Sequence, residues 1–161
     1  MTRATTNSSK PVAAWIGRGH DVASFAGAVA GAHERGISIC AHVILGLPGE
    51  SRGEMLATAD FLNSLGVEGV KLHHLHVLKD TELARRYARG EVTLLREREY
   101  IGLVCDFLER LSPTVLIQRL VGDGSRDLIA PRWNKLALLN AVDAELAQRG
   151  TRQGYRCGTG G

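Results

Sequence analysis

The sequence predicts an α/β protein with parallel strands, either a partial TIM-type (β/α) barrel with about half of the barrel present or part of an open α/β sheet. Three observations lead there. Helical and strand-like patterns alternate along the chain in the order α-β-α-β-α-α-β-α, the order that joins parallel strands through crossovers. The leading strand pattern is short, apolar and β-branched, as in a sheet covered on both faces. The 161 residues hold only three such strands. A full (β/α)8 barrel takes roughly 250 residues, so the remaining strands are expected to lie elsewhere.

Residues 1 to 11, rich in Thr, Ser and Asn, carry no periodicity and read as a disordered start. Gly17 to Asp21 forms a turn, and Asp21 can cap the helix that follows to about Arg35. Val22, Phe25, Ala26, Val29 and Ala32 share one face of it, and Gly36 closes it. The central strand covers about Ile37 to Leu45 and runs into Gly46-Leu47-Pro48-Gly49-Glu50. Gly46 and Gly49 allow a sharp turn and close approach to a neighbour, and Pro48 stiffens it. Ser51 and Glu54 have capping-box spacing, so a helix starts there and runs to about Leu65, with Met55, Leu56, Ala59, Leu62 and Leu65 on one side.

The second strand is placed at Gly69 to Val77, followed by a loop, Leu78 to Thr81. Thr81 caps a short helix to Arg89, closed by Gly90. Val92 to Leu95 is ambiguous. A longer helix, Glu97 to Leu111, turns Tyr100, Val104, Phe107, Leu108 and Leu111 inward and stops at Pro113. Thr114 to Arg119 is the third strand, Gly122 to Asp127 a polar loop, and Asn134 to Arg149 the last helix. Residues 12 to 150 form one domain, and 151 to 161, glycine-rich, read as a frayed tail.

Composition excludes several classes. The chain is 44% hydrophobic and 23% charged with net charge +3, which suits a globular domain and lacks the basic block of a nucleic-acid tail. Aromatics make up 5%, too few for interleaved base-stacking platforms. Cys40, Cys105 and Cys157 lie far apart with no C-x-x-C spacing, which argues against a disulfide framework or a zinc site; Cys40 and Cys105 read as core thiols. No apolar run approaches the ~20 residues of a membrane span, and no secretory signal opens the chain. A cytoplasmic protein is expected.

Functional groups of such folds gather at the carboxyl ends of the strands. Three loops qualify: Gly46 to Ser51, Leu78 to Thr81, and Leu120 to Asp127. A strand, a glycine loop and a helix N-terminus in succession make a place for a small polar or anionic ligand, the favoured reading over a plain structural turn. Alternation on the second strand puts Lys71, His73 and Leu75 on one face, and Leu72, His74 and His76 on the other. His42 on the central strand can join either set. Two histidines two apart can bind a metal, but no Asp or Glu completes a set nearby, so no metal site is assigned. Arg119 has the planar fork for a carboxylate or phosphate and Asp123 can accept from a ligand hydroxyl; an Arg–Asp network that merely fixes the loop is the competing reading. His42, Lys71, Arg119 and Asp123 are the substrate-binding candidates. No Gly-x-Ser-x-Gly elbow, Walker loop or strand-linked Gly-x-Gly-x-x-Gly occurs.

Taken as an ordered set, Arg18 to Asp21, Cys40 to Glu50, Gly69 to His73, Leu75 to Lys79, Val104 to Leu108, Arg119 to Asp123 and Leu139 to Ala141 resemble the C-terminal part of a radical S-adenosylmethionine protein of the YhcC type, akin to the elongator-like radical enzymes. The resemblance covers about residues 15 to 153. It implies a partial (β/α)6 barrel, S-adenosylmethionine as cofactor, and a [4Fe–4S] cluster that cleaves it reductively to a 5′-deoxyadenosyl radical. It also implies cofactor-binding residues: Ile44 and Gly46 along the adenine, with Gly49 and Glu50 in the same segment and His73 to His76 beside it. The family's C-x-x-x-C-x-x-C motif, expected near its N-terminus, does not occur in these 161 residues. A cluster needs converging thiolates, so this chain alone is expected not to bind one.

Three readings follow. The first is a C-terminal fragment of a radical enzyme, inactive by itself, arising from a truncated or frameshifted gene or a misplaced start. The second is a non-catalytic nucleotide-binding or interaction module derived from that fold. A His-dependent metal enzyme comes third. A half barrel leaves a strand edge open, so self-association is expected; neither membrane nor nucleic acid is indicated as a partner, and the substrate is not encoded legibly.

Overall fold

The computed structural model describes residues 22–158. The disordered start, the turn and cap ending at Asp21, the Arg18–Asp21 segment of the resemblance and the last three residues lie outside them. Ten elements follow one another: α1 (Val22–His33), β1 (Cys40–Leu45), α2 (Arg52–Leu65), β2 (Gly69–His74), β3 (Val77–Leu78), α3 (Glu82–Ala88), α4 (Glu97–Arg110), β4 (Leu116–Arg119), β5 (Leu128–Ala130) and α5 (Lys135–Arg149). The strands β1, β2 and β4 form a parallel sheet in that order, with Cys40 opposite Gly69 and Leu45 opposite His74. A two-stranded antiparallel ribbon, β3 with β5, stands apart from it.

The helices begin and end where local chemistry dictates. At the start of α2 the Glu54 amide donates to Ser51 Oγ (3.3 Å) while the Ser51 amide donates to Glu54 Oε2 (2.7 Å), a reciprocal cap that satisfies otherwise orphaned donors. Thr81 Oγ1 accepts from the Ala84 amide to start α3, and Asn134 Oδ1 accepts from the Ala137 amide to start α5.

The core sits on one side of the sheet. Ala41, Val43 and Leu45 of β1 and Val70 and Leu72 of β2 are buried against Met55, Ala59 and Leu62 of α2 and Tyr100, Leu103, Val104 and Phe107 of α4. The intervening β1 residues, His42 and Ile44, are exposed. A strand covered on both faces was expected; among the described residues helices cover one face only, and the apolar Ile44 stays 43% exposed on the other.

Four boundaries differ from the sequence reading. β1 starts at Cys40 rather than Ile37, and β4 at Leu116 rather than Thr114. β2 stops at His74, and Val77 turns away to pair with β5, a strand the polar loop pattern had hidden. The fourth concerns the tail. Residues 151 to 158 are not frayed: Gln153 Nε2 donates to the carbonyls of Ser112 (2.7 Å) and Val115 (2.8 Å), and the Gly154 and Arg156 amides donate to Leu108 and Glu109 carbonyls. This segment closes over the C-terminal end of α4, whose last carbonyls otherwise lack partners.

Candidate functional site

The carboxyl ends of β1 and β2 carry most of the candidates. Where β1 ends, Gly46 adopts φ +87°, and a Cβ there would meet the Leu95 side chain at 2.8 Å. Its glycine is therefore required twice, by backbone conformation and by a neighbour of its own chain. Gly49 turns at φ +82° and hands the chain to Glu50. Glu50 leaves Oε2 buried without a hydrogen-bond partner, and burial, helped by the nearby Glu54 charge, pushes its carboxyl up to about 7.

Lys71 lies opposite His42 and Arg119, and His73 opposite Ile44, so these five candidates sit in one band across the sheet. Arg119 reaches toward Asp123 at 3.8 Å, and Asp123 also pairs with Lys135 Nζ at 2.5 Å. Lys135, with Arg119 beyond it, holds the Asp123 carboxyl below the usual range. The loop-fixing network thus forms, and it engages Asp123 with two cations of its own chain.

The three histidines depart from simple alternation. Because β2 ends at His74, the chain leaves the pleat and the His76 ring folds back across both predecessors. Ring centroids lie 4.4 Å apart for His73 and His76, 4.3 Å for His74 and His76, and 5.5 Å for His73 and His74. His74 Nε2 and His76 Nε2 are 2.8 Å apart, and His73 Nδ1 contacts the His74 carbonyl at 2.6 Å. Burial, reinforced by the neighbouring imidazoles, depresses His74 to about 3 and lowers His76 as well.

Three residues outside the set of site candidates shape this cluster. Trp133 packs on His74 with centroids 4.6 Å apart, and Tyr100, buried, packs on it at 5.4 Å while its hydroxyl donates to the Leu120 carbonyl (2.7 Å). Gly122 lies so close to the His73 ring that a Cβ would fall 1.8 Å from Nε2. Its glycine is needed for room, not for dihedral freedom. One of only two tryptophans in an aromatic-poor chain was the available signal for Trp133; Gly122 had none.

Residues 67–148 match the model of the Radical_SAM C-terminal domain. The chain belongs to that radical SAM family. Among curated relatives, this radical SAM chain is 50% identical over 145 residues to the uncharacterised protein MJ0486 of Methanocaldococcus jannaschii, covering 88% of this chain and 45% of that protein. It is 40% identical over 142 residues to YtqA of Bacillus subtilis (86% and 44%) and 31% identical over 140 residues to YhcC of Escherichia coli K12 (85% and 45%). The chain thus spans less than half the length of the relatives it matches. Its fold superposes on the archaeal Elp3 of Methanocaldococcus infernus with TM-score 0.80 at 23% identity, covering 91% of this chain and 35% of that one.

The thiols of this radical SAM chain do not suit an iron–sulfur cluster. Cys105 is fully buried between α4 and α5, its Sγ 3.7 Å from the Val142 carbonyl, and burial pushes its thiol up to about 11. Cys157 packs beside Asn63 on the helix side, whereas Cys40 borders Gly69 in the sheet. Three thiolates cannot converge on one centre from these places. Cys40, expected in the core, is only partly buried.

Proposed function

We propose that the chain supplies the C-terminal strands of a radical SAM barrel, about half of it, and that the uncovered sheet face is the inner wall of that barrel. The observation that carries this reading is the one-sided burial of β1. Ala41, Val43 and Leu45 are sealed by helices, while His42 and Ile44 face outward beside Lys71 and His73. In a barrel the outward residues of this sheet become the lining, where an apolar Ile44 suits an adenine ring and Lys71, His42 and Arg119 suit polar substrate groups. Gly46, Gly49 and Glu50 border the same wall, and the unpartnered Glu50 oxygen offers an acceptor, or when protonated a donor, to a ligand.

When bound, the family's cluster and S-adenosylmethionine supply the radical chemistry. Residues outside this chain's cysteine set must hold that cluster, so the chain's own part is to position the adenosyl group and keep water from it. By itself it is catalytically inactive. A second reading, a non-catalytic adenosine-binding module, draws on the same unpartnered Glu50 oxygen.

Anaerobic reconstitution with iron and sulfide, followed by metal analysis and calorimetric titration with S-adenosylmethionine, tests both. The barrel reading expects no stable cluster and no cofactor cleavage; a [4Fe–4S] centre assembled by the chain alone overturns it. Saturable S-adenosylmethionine binding that Ile44→Asp weakens supports the module, and heat-silent titration at millimolar ligand removes it. A cytoplasmic location and self-association through the uncovered strand edges complete the proposal.

A further inference from the structure

We propose that His73, His74 and His76 form a three-imidazole site for a divalent transition metal of the zinc class. The inference stands apart from the radical SAM cluster, and its site borders the proposed adenosyl wall through His73, which lies opposite Ile44. One potential ligand atom from each histidine lies within 4.8 Å of the other two. All three come from one four-residue stretch at the end of β2, just before Val77, where the chain pairs with β5.

The ring nitrogens are placed to share one cation. His74 Nε2 and His76 Nε2, 2.8 Å apart, can share a single proton. His73 Nδ1 donates to the His74 carbonyl, which fixes its tautomer and leaves Nε2 as a lone pair. His74 Nδ1 is buried with no partner at all. Three neutral imidazoles carry one lone pair each, so the cluster can offer one donor nitrogen from every ring to a single ion. The His73 Nδ1–H to carbonyl bond is the kind of outer contact that orients a metal-ligating histidine.

The rings are also held in place. Trp133 and Tyr100 flank His74, and the Gly122 backbone presses on His73. A tetrahedral zinc with bonds of about 2.0–2.1 Å spaces its nitrogens ~3.3 Å apart, so the closest pair need open by roughly half an ångström. An all-imidazole set favours zinc, cobalt or nickel over magnesium or calcium, which require oxygen ligands. Three protein ligands leave a fourth position for water or another small ligand.

The test is zinc titration of the whole 161-residue chain, stripped with chelator, by calorimetry, with Co2+ as the optical probe. One equivalent should bind at micromolar or tighter affinity, and Co2+ should give the visible bands of tetrahedral coordination. His73→Gln and His76→Gln should each weaken zinc at least about tenfold, since loss of even an outer-shell contact costs that much. His33→Gln, which removes a surface histidine paired with Glu68, should leave it unchanged. No saturable zinc binding, or binding that both His73→Gln and His76→Gln leave intact, overturns the proposal. Circular dichroism checks the fold of each variant. Should a variant not fold, the parent's cobalt spectrum decides: tetrahedral bands support the site, and the pale spectrum of octahedral hydrated cobalt overturns it.

Discussion

Glu50 is a carboxyl placed where it resists ionising. Its carboxyl sits at about 7 in the folded chain against 4.5 for the free side chain, because burial and then the Glu54 charge oppose the anion. Between those values the folded state holds a proton that the unfolded chain has released, so stability falls as pH rises through that window and levels off above it. Glu50→Gln removes the titration. Urea melts of both proteins from pH 5 to 8 should show the variant gaining on the parent up to about pH 7 and the difference flattening above it; a constant difference would refute the assignment. The residue itself was legible from the loop that ends β1. Its burial was not, because nothing local says how deeply a side chain after Pro-Gly will be covered. Likewise His73 and His76 were visible as candidates, but period-two alternation set them on opposite faces. The break after His74 that brings them together depends on β5, a partner more than fifty residues away in the chain.

At the scale of elements, α4 and α5 are joined by a buried ion cluster. Glu109, fully buried on α4, accepts from Thr151 Oγ1 (2.7 Å) and Arg149 Nη1 (3.2 Å), and Arg156 Nε lies 2.8 Å from its other oxygen. Arg149 also binds Asp106 (2.7 Å) and Glu145 (2.8 Å). Burial works against the Asp106 anion, but Arg149 and Arg52 outweigh it and hold that carboxyl below its ordinary range. Removing one partner of a buried pair costs roughly 3 kcal/mol or more because the other charge is stranded. Arg149→Ala should therefore lower the unfolding free energy by about that amount in urea melts, whereas an effect under 1 kcal/mol would mean that solvent replaces the guanidinium. The helices themselves were plain in the sequence: Tyr100, Val104, Phe107, Leu108 and Leu111 repeat at helical spacing and all are buried. Glu109 broke that pattern, and its partners come from a segment that composition alone marked as loose.

For the molecule as a whole, the strand alternation and the helix caps were enough to place the parallel sheet. The face left open was not predictable from β1, because Ile44 looks the same in sequence whether helices or a ligand will cover it. The described sheet ends in β1 on one side and β4 on the other, with Ile44 and Leu116 among the exposed apolar side chains, the latter 64% exposed. Unpaired edges and bare apolar surface favour chain–chain pairing. Sedimentation velocity across a concentration series should show mass rising with concentration. His42→Glu, which puts charge on the uncovered face, should shift the distribution toward monomer. A monomer at every concentration would count against the edge as an adhesive surface.

The docked segment that follows α5 has a practical corollary for anyone dividing the polypeptide. A cut at Gly150, where glycine ends the last helix, looks natural, yet it would strip away Thr151 and Arg156 and leave an interior carboxylate with Arg149 as its one remaining counter-charge among the described residues. A boundary placed beyond Gly158 keeps that lid and should yield the better-behaved protein, and a purification handle belongs past it.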